Sequence, residues 1–348
     1  MVSPRAKRPV IIAILLTLFI TFPTYYYLIA TTDSSEFTTH DSITKPTVFI
    51  AANLYNNEAI LEEWTKQLNR IIDWLSPARV FISIYENGST DRTKPMLQAY
   101  DTYLSESKVQ HQIVAANEAK YQGRRIPALA NIRNQALKPL HSTQMHFDKI
   151  LFLNDIIFEL SDAVSLLMAR GGDYDAVCAM DFFGEFYDLF ATREVNGGWV
   201  GSGNYPYFED KGSRELLANG QLIPVYSCWN GMIAMNAEPF IKDLVAFRAI
   251  LPDEPEVPRE ASECCLIHTD LREHNYTKIF INPQVKVAYD PFHYWYARYI
   301  IPLWNIFLAP FNNPASMTDD EKTKWDSQIK TLTEKHGIDV KDTICLWK

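Results

Sequence analysis

The sequence predicts an α/β protein with a mostly parallel sheet of the Rossmann type, flanked by helices and preceded by one transmembrane helix. Two observations indicate the sheet: apolar, strand-like runs alternate with helical patterns along residues 46–170, and a polar loop follows the first, second and fourth runs. Alternation of this kind is typical of parallel strands joined by right-handed crossovers. A third observation, an uncharged stretch near the N-terminus, indicates the transmembrane helix.

The N-terminal stretch 10–30 is long enough to cross a bilayer. At about 1.5 Å per residue it reaches roughly the 30 Å of a bilayer core. Positive charges at Arg5, Lys7 and Arg8 precede it and Asp33 follows it, which predicts a cytoplasmic tail at 1–9 and a luminal location for the rest. The alternative is a cleaved signal peptide, whose apolar region is normally only about 7–15 residues long. Residues 31–45, rich in Ser, Thr and Asp, are typical of a stem.

Three strands are expected first in the folded part, which begins at Pro46. They cover residues 47–52, 79–85 and 109–116. Apolar residues at helical spacing predict a helix after each strand: one from 61 to 72, one opening near Lys94, and one around 130–137. We expect one main domain at 46–311, followed by an appendage at 312–348 that carries a polar helix from Thr318 to Gly337.

Asp155 stands out because it follows an apolar run. Residues 149–153 predict a fully buried strand, and ligands of open α/β sheets bind beyond the carboxyl ends of such strands. Capping of the next helix is the alternative role for Asp155, although Ser161 and Asp162 are better placed for it. The second strand ends in the polar loop 86–91, so both strand ends would meet in one polar cleft able to hold a metal ion.

Composition excludes several classes of protein. A formal net charge of −9, with no concentrated basic patch, argues against a nucleic-acid partner. The loop after the first strand has no glycine, so the dinucleotide-binding fingerprint is missing.

An odd number of cysteines implies that at least one is free or bonded to another chain; they are Cys178, Cys228, Cys264, Cys265 and Cys345. The sequon at Asn275 is a candidate glycosylation site, whereas the one at Asn87 lies in the expected cleft, where a glycan would block it. The aromatic run 181–188 is equally compatible with stacking on sugar rings and with core packing.

The predicted cleft suits transfer of a sugar from a nucleotide-sugar. Carboxylate and amide oxygens are ligands for Mn²⁺ or Mg²⁺, and such an ion stabilises a departing diphosphate. Arg125 and Arg133 are the basic candidates for the same task, with solvated helix charges as the alternative.

Seven short motifs together resemble the fungal α-1,3-mannosyltransferases related to the cryptococcal capsule-associated proteins. The resemblance runs from about residue 46 to 300 and rests on the order and spacing of these motifs: 51–58, 85–91, 125–127, 132–134, 152–156, 228–231 and 262–264. It implies a GT-A fold, GDP-mannose as donor, a glycan or glycoprotein acceptor, a divalent metal, and retention of the α configuration, in an enzyme of the Golgi or endoplasmic reticulum membrane.

The resemblance also assigns roles to residues. Asn154-Asp155 stands where many such folds carry two acids, with Asp155 as the metal ligand and a catalytic group. Glu263 is expected near the reacting sugar. The residues expected to bind the donor or shape its pocket are Asn53, Glu58, Glu86, Asn87, Asp91, Arg125, Arg133, Asn154, Trp229 and Asn230. Further metal ligands could come from His268, Asp270 or His293.

Two other functions remain open on the sequence. A transferase for a different nucleotide-sugar would need the same cleft. A catalytically silent, membrane-tethered subunit that binds glycans or assists assembly would account for the missing second acid at position 154.

Overall fold

The computed structural model describes residues 44–116, 123–250, 259–308, 314 and 318–347. Residues Pro46–Lys348 group into one compact unit, which includes the C-terminal residues from 318. The expected tail, the anchor at 10–30 and most of the stem lie outside the described residues. Within the described ranges, no helix combines the length and apolar character needed to traverse a bilayer.

The core of the unit is a ten-stranded sheet. Its spatial order is β3-β2-β1-β4-β9-β5-β10-β8-β7, with β6 paired to β5. The strands are β1 Val48–Leu54, β2 Val80–Glu86, β3 Gln110–Ala115, β4 Lys149–Leu153, β5 Ala176–Phe183, β6 Glu185–Phe186, β7 Arg193–Glu194, β8 Ile223–Ser227, β9 Met232–Asn236 and β10 Ile279–Ala288.

Ten α-helices are described. They are α1 Glu58–Leu75, α2 Thr93–Glu106, α3 Arg125–Leu137, α4 Leu160–Leu167, α5 Lys211–Ala218, α6 Glu238–Ile241, α7 Glu263–Glu273, α8 Pro291–Trp295, α9 Ile301–Leu308 and α10 Asp319–His336. A single π-helical stretch, Tyr296–Ile300, joins α8 to α9.

Helices cover both faces of the sheet, because alternate residues of each central strand point to opposite sides. In β1, Ile50 and its alternating neighbours pack with α1, α2 and α4. Phe49 and Ala51 face the other layer, which contains α3 and α7. The first four predicted strands are therefore confirmed, and β4 has the expected bounds.

The sheet is mixed, whereas the sequence predicted a mostly parallel sheet. Strands β3, β2, β1 and β4 are parallel to one another, but β9 lies antiparallel between β4 and β5. Parallel neighbours need a crossover of a dozen or more residues, usually a helix. The regular helical pattern ends after residue 170, and the later strands are correspondingly joined by irregular segments.

The C-terminal segment is fastened to α7. A disulfide joins Cys265 to Cys345, and Arg248 forms two-pronged ion pairs with both Asp270 and Asp342 at 2.7–2.8 Å. Helix α10 has the predicted ends: Thr318 and Glu321 form a capping box, and Gly337 terminates the helix in the left-handed conformation. A second disulfide joins Cys178 to Cys228, which leaves Cys264 as the free cysteine and confirms the expectation from the odd count.

His268 is fully buried in α7, where it makes the protein sensitive to acid. Its Nε2 donates to the Cys228 carbonyl at 2.7 Å, while its buried Nδ1 has no hydrogen-bond partner among the described residues. Burial lowers the pKa of His268 from 6.5 to about 4. Between pH 6.5 and about pH 4, His268 is protonated in the unfolded chain but remains neutral in the folded protein. The free energy of unfolding therefore falls as the pH drops through this range, and the loss is complete below about pH 4.

We therefore expect the free energy of unfolding to fall by up to about 3 kcal/mol between pH 6.5 and 4 through this residue. Chemical denaturation at several pH values measures the loss. In His268→Gln, whose amide can keep the bond to Cys228, this component should disappear, while exposed His274→Gln serves as the matched control. An unchanged pH dependence in His268→Gln would assign the acid sensitivity to other groups.

Candidate active site

A cavity of about 470 Å³ lies at the carboxyl ends of β1, β2 and β4. Cavities of this size hold small molecules and cofactors. Six of the predicted site residues line it: Asn53, Asn87, Arg125, Arg133, Asn154 and Asp155. The carboxyl ends of β2 and β4 therefore meet in one crevice, as expected from the sequence.

Helix α3 presents one face to this cavity. Arg125, Leu129, Ile132 and Arg133 all line it, and their spacing places them on the same side of a helix. The backbone positions of Arg125 and Arg133 are about 12 Å apart along the helix axis. The first turn of α3 contains no acidic side chain and has no side-chain cap, so its positive dipole end adds to the attraction for an anion.

Asp155 is held at the cavity wall by Asn57. The Asn57 Nδ2 donates to Asp155 Oδ2 at 3.0 Å. Burial raises the pKa of Asp155 above its ordinary 3.8, against the opposing effects of that hydrogen bond and of Arg133. The following helix α4 is capped by Glu159 and Asp162, so Asp155 does not serve as its cap. Ionisation of Asp155 therefore costs free energy at a position that lines the cavity.

Asn53 offers an unused acceptor at the cavity. Its Nδ2 donates to the Ile132 carbonyl at 3.0 Å, and its buried Oδ1 has no hydrogen-bond partner. A buried polar atom without a partner is costly. This oxygen is therefore ready to accept a hydrogen bond from a ligand.

Arg133 connects the cavity wall to a buried cluster of side chains. Its Nε donates to Glu263 Oε1 at 3.1 Å, and its Nη1 to Asn154 Oδ1 at 3.4 Å. The guanidinium carbon lies 4.3 Å from the centroid of the Trp229 ring, and the Trp229 indole donates to the same Asn154 oxygen at 3.2 Å. Cys264, whose Sγ is 3.4 Å from Glu263 Oε1, completes the cluster.

The corner Asn230-Gly231 sets the position of Asn154. Gly231 accepts a hydrogen bond from the Asn154 amide at 2.9 Å. Its φ is +76°, and a Cβ there would lie 2.9 Å from Ile156 Cγ2, so glycine is required. Asn230 is buried and bonds to the Ala179 carbonyl and to Thr192, which ties the corner to β5.

Six predicted residues do not line the cavity. Trp229, Asn230 and Glu263 lie behind it, as described above. The other three stabilise the loop before α2: Asp91 accepts from the Glu58 and Thr93 amides, Glu58 accepts from the Arg92 amide, and Glu86 accepts from the Ser89 amide. Each of these carboxylates thus accepts from at least one backbone N–H group of the protein itself, although the buried Oε2 of Glu86 has no hydrogen-bond partner within the described part of the chain.

The three further candidate metal ligands do not line the cavity. His268 lies beside the Cys178–Cys228 disulfide, and Asp270 pairs with Arg248. His293 is close to the rim, where its ring centroid is 4.3 Å from that of Phe183. Its Nδ1 bonds to Asp290.

The predicted site residues did not include four aromatic residues that line the cavity: Tyr55, Phe183, Tyr187 and Tyr289. Phe183 and Tyr187 belong to the aromatic run 181–188, whose sequence was equally compatible with stacking on sugar rings and with core packing. Tyr289 follows the end of β10, and its hydroxyl donates to Asp181 Oδ2 at 2.7 Å. Asp181 also accepts from the Asp188 amide; burial and the nearby Asp188 raise the pKa of Asp181. Strand-end position was the available signal for Tyr289 and for Asp181.

The donor set at the cavity fits a divalent cation that shares its ligands with a diphosphate. Among the described lining residues Asp155 is the one acid, and the Asn154 oxygen is already engaged by Arg133 and Trp229. Mg²⁺ is commonly bound by one or two carboxylates together with substrate phosphates. These residues do not form a cage that would hold an ion without the substrate.

The fold and the site define the class of protein as an α/β protein that binds a ligand beyond the carboxyl ends of its parallel strands. The family described as Cryptococcal mannosyltransferase 1 matches residues 47–270. The chain therefore belongs to this family, which confirms the resemblance.

A curated relative is the α-1,3-mannosyltransferase CMT1 of Cryptococcus neoformans var. neoformans serotype D. It is 24% identical over 270 residues, which are 69% of this chain and 57% of the relative. The matched region thus spans little more than half of the relative's length.

Two similar solved structures share low sequence identity with this chain. The mannosyltransferase PcManGT from Pyrobaculum calidifontis, in complex with GDP-Man and Mn²⁺, is 14% identical, with 96% of this chain and 95% of that chain covered and a TM-score of 0.43. S. aureus TarS 1–349 is 15% identical, with coverages of 84% and 73% and a TM-score of 0.40.

Proposed function

We propose that this chain transfers mannose from GDP-mannose to a hydroxyl group of a glycan. The observation that carries the proposal is the cavity at the strand ends, where Asp155, Asn53 and two arginines of α3 surround a space of nucleotide-sugar size in a member of a mannosyltransferase family. The curated α-1,3-mannosyltransferase relative supports mannose as the sugar and the α-1,3 linkage.

Arg125 and Arg133 would bind the diphosphate. In the reaction the acceptor oxygen forms a bond to C1 of mannose while the bond from C1 to the phosphate oxygen breaks. The electron pair leaves with GDP, and the acceptor hydroxyl releases its proton. Negative charge therefore grows on the diphosphate, where preorganised guanidinium groups and the positive end of α3 stabilise it.

Asp155 would hold a divalent cation, Mn²⁺ or Mg²⁺, together with the diphosphate. When bound, such an ion supplies further charge stabilisation for the leaving group. Because the sugar of GDP-mannose is α-linked, an α-linked product means transfer with retention. The proposal therefore includes retention of configuration.

Ligand-dependent thermal unfolding and turnover of the full chain in detergent test this proposal. We expect GDP with Mn²⁺ to raise the melting temperature while UDP does not. We also expect release of GDP from GDP-mannose with Mn²⁺ or Mg²⁺ and its arrest by excess chelator. Stabilisation by UDP would indicate another donor, GDP binding without turnover would indicate a silent binding subunit, and turnover in chelator would exclude the metal.

We further propose that residues 10–30 anchor the protein in the Golgi or endoplasmic reticulum membrane, with the catalytic unit in the lumen. The charges before the span and the sequon at Asn275, which is exposed, support this orientation. Protease treatment of sealed microsomes should leave the unit from Pro46 intact until detergent is added. Digestion without detergent would place the unit on the cytoplasmic side.

A further inference from the structure

A row of aromatic rings leads from the cavity along α8. The row consists of Tyr187, Phe183, His293, Phe292 and Trp295, and we call it the aromatic ridge. We propose that the aromatic ridge binds an oligosaccharide acceptor that extends over several sugar rings. This inference rests on the proposed function, because it assigns the acceptor class to the same site.

The rings of the ridge form a continuous series. Successive ring centroids are 6.1 Å apart from Tyr187 to Phe183, 4.3 Å from Phe183 to His293, 5.3 Å from His293 to Phe292 and 6.4 Å from Phe292 to Trp295. Tyr187 and Phe183 line the cavity. The series therefore begins where the donor sugar would lie and continues to Phe292 and Trp295, which do not line the cavity.

Four of the five side chains are exposed far beyond what core packing requires, whereas His293, between Phe183 and Phe292 in the series, is 22% exposed. The exposed fractions are 53% for Phe183, 57% for Tyr187, 64% for Phe292 and 41% for Trp295. A contiguous set of exposed rings marks a binding surface. Exposed ring faces bury apolar area against the flat C–H faces of pyranose rings, and the polar tips of Tyr and Trp remain free to bond to hydroxyl groups.

Polar neighbours favour a sugar over a lipid surface as the occupant. Glu185 lies between Phe183 and Tyr187 in the chain and is exposed, and Asp290 lies beside His293. Carboxylates accept hydrogen bonds from sugar hydroxyls. They would repel the anionic head groups that attract basic interfacial segments to membranes.

The length of the ridge determines the kind of acceptor. Phe183 and Tyr187 line the cavity whereas Phe292 and Trp295 do not, so a monosaccharide held at the cavity contacts only part of the ridge. Binding should therefore strengthen as rings are added at the end of the acceptor that points away from the cavity, and the far rings should contact Phe292 and Trp295.

Ligand-observed NMR on the full chain in detergent tests the proposal without any donor present. The probes are linear neutral oligosaccharides of one to five sugars in manno-, gluco- and xylo-series. We expect affinity to rise with length in at least one series. Phe292→Ala and Trp295→Ala should each weaken the longest member about 5- to 10-fold and leave the monosaccharide unchanged. Tyr103→Ala, at another exposed aromatic, is the matched control.

The proposal is overturned if no series binds, if affinity does not depend on length, or if Tyr103→Ala has the same effect as the ridge variants. It is also overturned if the ridge variants keep full oligosaccharide binding. GDP-dependent thermal stabilisation is measured on the unaltered protein in parallel. Its absence, alongside length-dependent sugar binding, would reject the donor and not the ridge.

Discussion

Asp155→Asn is expected to reduce mannose transfer by at least about 10²- to 10³-fold, the range found when one strong stabilising group is removed from an active site. The substitution keeps the shape of the side chain and an oxygen that accepts from Asn57, but it removes the negative charge that would hold the cation. Initial rates with GDP-mannose and Mn²⁺ measure the loss.

The same variant should not lose stability. Burial raises the pKa of Asp155, so the ionised carboxylate costs the folded protein free energy at pH 7, and a neutral amide relieves that cost. We therefore expect an equal or higher melting temperature in Asp155→Asn. Asp101→Asn, on the outer surface of α2, is the control for an unrelated carboxylate. Full turnover in Asp155→Asn would remove this residue from the mechanism.

Glu263→Gln is expected to lower both donor affinity and turnover, because Glu263 holds Arg133 and does not line the cavity. Removing one charge of a buried ion pair costs about 3–5 kcal/mol of stability, and Arg133 would lose the partner that fixes its Nε. We expect kcat/KM to fall about 10²-fold and the dissociation constant of GDP to rise. Steady-state kinetics and GDP titrations measure the two effects.

Glu260→Gln provides a matched control for this prediction. Glu260 forms a comparable pair with Arg124 at 2.7 Å, but neither residue lines the cavity. Its loss should leave donor affinity unchanged. If Glu263→Gln instead lowers kcat and keeps normal GDP affinity, Glu263 acts on the reacting sugar directly, as the sequence alone had suggested. In a double-mutant cycle with Arg133→Met, the double variant should cost less than the two single variants together.

The first half of the fold could be predicted from the sequence because its signals are local. Residues 150–153 are apolar and, together with Lys149, form a buried strand with the predicted bounds 149–153. Thr318, Glu321 and Gly337 carry the capping chemistry of both ends of α10. The order of strands after residue 170 depends on long-range pairing, such as β9 inserting between β4 and β5, which no local pattern encodes.

The roles of the acidic residues were harder to predict because capping and ligand binding use the same chemistry. Asp91 and Asp155 both follow strands, yet Asp91 accepts two backbone amides, whereas Asp155 accepts from one side chain and lines the cavity. The contact of Glu263 with Arg133 is visible only in the folded structure, because 130 residues separate the two in the sequence. Tyr289 and Asp181 join two different strands and carry no motif.

Helix α7 connects the far end of the chain to the chemistry. Glu263 and Cys265 are two residues apart on it, so the helix that orients Arg133 is also the one stapled to Cys345. A truncated protein that ends before Cys345 would retain every described residue that lines the cavity. It would lose the disulfide that holds α7, the helix whose Glu263 orients Arg133. Removal of the C-terminal residues should therefore impair function because Arg133 is held less firmly, although the deleted residues do not line the cavity.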